Sequence, residues 1–377
     1  MRLMRLMRQA QLVRWRDALL LTSLVLATAP VPQSHAQPRC DQPVFGDPIP
    51  LDVALSHDLS TGVGVGVAVV DTGAAAPGVI ADRPGDRDRC LLHGTAVAGT
   101  LRTVAPGSRV VSVRQGDGGH DTTVADLVTA LDRARAGAAD HGVRVVNISV
   151  IACDDTAELR EAVAAAEEAG LLLVAAAGNT GQCQDGRTPY PAALPGVLTV
   201  GGVDARHRDD LDAGRRPADY SVPGDWVDLH APGGPVSALL EGPVHDRGGA
   251  GTPRTRTVVG DPSPFTGTSF AAPVVAGTAA LVWQVRPEFT AAQVRSLLVD
   301  TAEQGVVPVV SPTAAVSAAL DARPGSPPVT RGPRYPVAEE VTVTRTPPAP
   351  RDLRVPMLLT GAVAVAVLTG VVLRGRR

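Results

Sequence analysis

The chain has 377 residues, 35 basic groups that are all arginine, 38 acidic groups and a formal net charge of −3. Ten of those arginines and two of the acids lie outside residues 37–350, which leaves 25 basic against 36 acidic side chains in that span, net −11. A protein built to neutralise a phosphate backbone carries the opposite balance, so nucleic acid is excluded as a partner. The length exceeds one average domain but suits a single large α/β core with appendages.

Five arginines through Arg16 precede the apolar run Ala18 to Ala27 and the small-residue site Ser34-His35-Ala36, a secretory signal over residues 1–36. Gln37 to Thr61 is an extension rich in Pro and Asp with little periodicity. Gly62-Val63-Gly64-Val65-Gly66 invites a dinucleotide reading. A phosphate-binding glycine loop follows a strand and opens a helix, whereas these glycines precede the strand Val67 to Asp71, so the reading is discounted.

His93-Gly94-Thr95-Ala96 then places a histidine ahead of a small-residue helix. Thr123-x-x-Asp126 is a capping box opening a helix with apolar positions Val124, Leu127, Val128 and Leu131. Val143 to Val150, Leu171 to Ala177 and Val197 to Val203 read as apolar strands, with a helix from Thr156 to Glu168 between the first two. Strands apolar throughout and alternating with helices predict an α/β fold: a three-layer parallel sheet with helices on both faces. Catalytic groups then belong at the carboxyl ends of the strands, where Asp71 and Asn179 fall.

Asp204 to Pro264 is expected to form loops and short strands around that face. Gly267-Thr268-Ser269-Phe270 leads into a strongly apolar helix, so Ser269 sits where orphan N–H groups and the helix dipole favour a developing oxyanion. Helices follow at Thr290 to Leu298 and Thr313 to Leu320, closing a domain predicted over residues 62–322. Residues 323–354 form a Pro- and Arg-rich linker. Residues 355–373 are uncharged for 19 positions and predict a transmembrane helix, with Arg374, Arg376 and Arg377 in a cytoplasmic tail, residues 374–377.

The four motifs around Asp71, His93, Asn179 and Ser269, in that order, resemble those of the subtilisin-like serine proteases. The resemblance implies Asp71, His93 and Ser269 as a catalytic triad, with Asn179 donating to the oxyanion. It also implies that Ser149, Val150, Ile151 and Ala152 line the non-primed substrate groove, with Ala177 and Gly178 substrate-binding as well. An isolated Gly-Thr-Ser, a strand-ending acid or a turn asparagine is individually weak; the ordered set is specific. The interval of 22 residues from Asp71 to His93 is short and departs from the family pattern.

Signal, stalk and terminal span, four cysteines and the lack of room for a folded pro-domain before Asp71 resemble the mycosins, membrane-anchored proteases associated with type VII secretion. The implied location is the cell membrane, single-pass, with the peptidase domain outside and the C-terminus in the cytoplasm. The implied partners are a protein or peptide substrate, the membrane, and subunits of a secretion complex. A structural role in such a complex, with proteolysis secondary, is the rival reading. A lipid esterase is disfavoured because the serine does not stand in a G-x-S-x-G elbow.

Four cysteines in an exported chain allow three pairings. Cys153 and Cys183 follow strands expected to be neighbours, and Cys90 stands three residues before His93. The expected pairs are therefore Cys153 with Cys183 and Cys40 with Cys90. No C-x-x-C occurs and no strong calcium loop stands out, so neither metal nor cofactor is expected. The sequon Asn147-Ile148-Ser149 lies in a buried strand, and His57, His120, His141, His207, His230 and His245 are assigned to solvated loops.

Overall fold

The computed structural model describes residues 44–49, 51, 53–83, 92–116, 123–204, 216–240, 256–260 and 264–322. The signal, the linker, the C-terminal span, Cys40 and Cys90 lie outside those residues, as do His120, His207 and His245. So do residues 37–43, 50 and 52 of the N-terminal extension, within which Ala54–His57 forms a short helix, α1.

Seven parallel strands make the main sheet: β1 (Gly66–Asp71), β2 (Ile80–Ala81), β3 (Arg109–Arg114), β4 (Val143–Ile148), β5 (Leu172–Ala176), β6 (Leu198–Val203) and β7 (Leu229–Pro232). Their order is β2-β3-β1-β4-β5-β6-β7, so the chain first builds outward from one side of β1 and then crosses to the other. Crevices at such a reversal open at the carboxyl ends of the strands. β1 is buried along its whole length, and its alternate residues serve different layers: Val67 and Val69 face one core, Ala68 and Val70 the other.

The first core packs against α2 (Leu92–Val104) and α5 (Thr268–Val285), with α6 (Ala291–Asp300) and α7 (Pro312–Asp321) outside them. The second packs against α3 (Val124–His141) and α4 (Ala157–Glu168). The three-layer expectation holds. With only 3% aromatic residues, the layers close on Val, Ala and Leu. A Cβ on Gly277 would stand 2.8 Å from that of Val104, so bare backbone is what lets α5 lie against α2.

Helix ends follow local chemistry. Thr123 accepts from the Asp126 N–H while the Asp126 carboxylate accepts from the Thr123 N–H, the capping box read from sequence, and Thr290 with Gln293 repeats it at α6. Gly142, at φ 64°, ends α3 in the left-handed conformation that glycine adopts without strain.

Three readings change. β3 was not anticipated, because Ser112 and flanking arginines interrupt its apolar run; it is nevertheless buried between β1 and β2. The stretch Asp204 to Pro264 does contain a two-stranded sheet, β8 (Ala238–Leu240) with β9 (Arg256–Val258), but β7 inside it belongs to the main sheet. His230 lies on β7, 7% exposed, rather than in a solvated loop. The apolar helix α5 is long enough to cross a membrane, yet 89% of it is buried inside the domain, so it is the core helix.

Candidate active site

Asp71 ends β1 and is fully buried. Its Oδ1 accepts from the Thr72 N–H at 2.6 Å, from Thr72 Oγ1 at 3.1 Å and from His93 Nδ1 at 2.8 Å. Fixing the carboxylate from its own strand end assigns the His93 Nδ1 proton, so Nε2 is left as the basic nitrogen on the outer side of the ring. The His93 side chain is 38% exposed against 1% for that of Asp71, so the pair runs from the core to the surface.

α2 can bring His93 this close because the next residue is glycine. A Cβ on Gly94 would overlap the Gly73 carbonyl oxygen and stand 2.9 Å from Asp71 Oδ1. Two threonines tie the same corner: the Gly94 N–H donates to Thr72 Oγ1, and the Ala75 N–H to Thr95 Oγ1. Neither Thr72 nor Gly94 was singled out from sequence; only the H-G-T spacing hinted at them.

Ser269 is the second residue of α5 and is 6% exposed. Its neighbour Phe270 carries a ring 5.2 Å from the His93 imidazole, which places the first turn of α5 beside the histidine. Ser269 Oγ donates to the Ser149 carbonyl at 3.2 Å, while Ser149 Oγ donates to the Ser269 carbonyl at 2.7 Å. That reciprocity has a covalent cause. Pro273 lies four residues after Ser269 and has no N–H, so the Ser269 carbonyl has no helical donor and takes the Ser149 hydroxyl instead. Asn147 Nδ2 in turn donates to Ser149 Oγ at 2.9 Å, a use for the sequon asparagine that keeps it wholly buried.

Asn179 follows β5. Its backbone does form the turn its sequence suggests, since the Gln182 N–H donates to its carbonyl at 3.1 Å. Its side chain meanwhile faces α5: Oδ1 accepts from the Thr268 N–H at 3.0 Å and from Thr268 Oγ1 at 3.1 Å. Because that oxygen is committed, Nδ2 is the group left to donate. Gly267, at φ 152°, has no side chain to cap the helix, and a Cβ there would lie 3.0 Å from Nδ2. The Ser269 N–H lies among the orphan first-turn donors of α5.

The six groove positions divide. Ser149, Ala177 and Gly178 are buried, whereas Val150, Ile151 and Ala152 are half-buried. Ala177 and Gly178 extend the sheet edge, with the Ala177 N–H on Val200 and the Gly178 carbonyl accepting from Val222. Ala152 pairs antiparallel with Tyr190, and beyond it Cys153 and Cys183 form the predicted disulfide, Cα atoms 5.5 Å apart. Among the described residues no group of three His, Cys, Asp or Glu side chains could hold a metal ion.

Residues 62–326 match the Subtilase family, and the chain belongs to that family of serine endopeptidases. Within it the chain is mycosin-like. It is 32% identical over 313 residues to Mycosin-1 of Mycobacterium tuberculosis, covering 67% of this chain and 66% of that protein. Mycosin-4 of the same organism is 34% identical over 291 residues, covering 65% and 61%. The chain thus spans a little under two thirds of the length of these relatives. Among solved structures, a MycP3 protease from the type VII (ESX-3) secretion system superposes with a TM-score of 0.55 at 30% identity, covering 71% of this chain and 86% of that one. A chain of an intact ESX-5 inner membrane complex gives 0.59 at 26% identity, covering 89% and 93%.

Proposed function

We propose that the protein is a membrane-anchored, extracytoplasmic serine endopeptidase that cleaves peptide bonds through an acyl-enzyme on Ser269 and works beside a type VII secretion complex. The observation that carries the reading is the 2.8 Å hydrogen bond from His93 Nδ1 to the buried Asp71 carboxylate, set beside the mouth of the helix that holds Ser269. His93 Nε2 takes the Ser269 hydroxyl proton as Oγ attacks the scissile carbonyl, and Asp71 stabilises the imidazolium that results. The tetrahedral oxyanion receives Asn179 Nδ2 and the Ser269 N–H. His93 then returns the proton to the leaving amine, and water repeats the cycle on the acyl-enzyme. In the resting geometry Ser269 Oγ donates to the Ser149 carbonyl, which holds the hydroxyl just past the end of β4.

The test is labelling of the purified protein by a fluorophosphonate, with peptide mapping. Label on Ser269, abolished by Ser269→Ala, is the expected result; no label on a folded protein would refute the assignment. Location and partners rest on the sequence of residues 1–36 and 355–377 and on the likeness to a chain of an ESX-5 inner membrane complex. That likeness also favours a second reading, a structural subunit whose proteolysis is secondary. Secretion that survives Ser269→Ala but fails on deletion of the protein would select it.

A further inference from the structure

β4 and β5 are neighbours in the sheet, paired as far as Ile148 with Ala175. Past that point their chains part: 149–152 runs along one side and 177–179 along the other. They are joined again by the two Ala152–Tyr190 hydrogen bonds, at 2.7 and 2.8 Å, and by the Cys153–Cys183 disulfide. The result is a slot closed at its far end, with Ser269 at its mouth against Ser149 and with Asn179 beside Thr268. A substrate whose carbonyl carbon meets Ser269 Oγ and whose oxygen meets Asn179 Nδ2 has its acyl-side residue at the entrance to this slot.

Ile151 fills it. A carbon placed at the Cβ position of Gly178 would already stand 3.5 Å from Ile151 Cδ1, in van der Waals contact, and 3.1 Å from Pro189 Cγ, closer than ordinary contact. One further C–C bond takes the distance back to Gly178 Cα, so the two walls are at most about 5 Å apart. An aromatic ring or an extended methylene chain held between two walls needs about 7–8 Å, twice the carbon–carbon contact distance. Widening the slot at Gly178 is not open to the chain, since that residue sits at φ 91° with no Cβ to remove.

We infer that Ile151 and Pro189 restrict the residue on the acyl side of the cleaved bond to glycine, alanine or serine, with Ile151 the specificity-determining side chain. The inference rests on the catalytic reading above. It is tested by competition, which needs no turnover: tetrapeptide boronic acids that end in the alanine or the phenylalanine analogue are titrated against fluorophosphonate labelling of Ser269. The parent is expected to be blocked by the alanine compound at a concentration about tenfold or more below that of the phenylalanine compound. Ile151→Gly should shrink or invert that ratio, and Ile151→Val, which removes Cδ1 and keeps the branched backbone preference, should move it the same way by less. Equal potency of the two compounds in the parent, or a ratio unchanged in both variants, would overturn the slot while leaving the nucleophile in place. Absence of labelling in the folded parent would instead bring down the catalytic assignment, and the slot with it.

Discussion

Substituting Gly94 by alanine adds one methyl group at the point where α2 meets the end of β1. The new carbon would overlap the Gly73 carbonyl oxygen and press on Asp71 Oδ1 from 2.9 Å, so the helix must back away from the strand end. Overpacking of this kind costs about 1–3 kcal/mol of stability. The larger effect falls on His93, the residue immediately before, because retreat of the helix stretches the 2.8 Å bond to Asp71. Displacement of a catalytic group by about 1 Å is worth on the order of 10² in rate. Removing the triad aspartate altogether costs about 3 × 10⁴ in kcat in subtilisin. Gly94→Ala should therefore fall between, slowing fluorophosphonate labelling by about 10²–10⁴ while the protein still melts cooperatively. Gly99→Ala is the control: on the same helix a Cβ there meets Ala238 at 3.3 Å rather than any residue of the triad, and it should not slow labelling. A labelling rate for Gly94→Ala within threefold of the parent would refute the argument.

Asn179→Ala should lower kcat by about 10²–10³ with KM little changed, as loss of the equivalent asparagine does in subtilisin; an unchanged kcat would remove it from the oxyanion site. His230 is buried on β7, and desolvation lowers its pKa from 6.5 to about 4. The unfolded chain then binds the proton that the folded one refuses, so stability is intact above pH 6.5 and falls toward pH 4, by up to about 3 kcal/mol. Urea midpoints at pH 4.5 and 7.5 should differ less in His230→Gln than in the parent; equal differences would exonerate the histidine. The disulfide joins positions 30 apart in sequence, so Cys153→Ser with Cys183→Ser should lose about 3–4 kcal/mol in equilibrium unfolding. A loss below 1 kcal/mol would show that the Ala152–Tyr190 pairing holds the loop unaided.

Periodicity exposed the layers because each strand of this sheet is covered on both faces and each helix is amphipathic or wholly buried. It failed at β3, where arginines at both ends hid six sheet residues, and at β7, set in a polar stretch but pinned by the edge of β6. Asp71, His93, Asn179 and Ser269 were legible because their motifs keep order along the chain, and the structure gathers them at one end of the sheet. What supports them was not legible. The Ser149–Ser269 exchange joins positions 120 residues apart, and no local pattern encodes it. Ile151 looked like one more apolar residue after a strand; its meaning depends on how near Gly178 lies.

The proline in α5 has a consequence for when the protein becomes a hazard to its surroundings. Since the turn that carries Ser269 is completed by a hydroxyl from the end of β4, the helix cannot finish its own first turns in isolation. A nascent or half-folded chain, with that strand undocked, holds its serine as an ordinary solvated alcohol. Docking of that strand is thus the step that completes the turn carrying the serine.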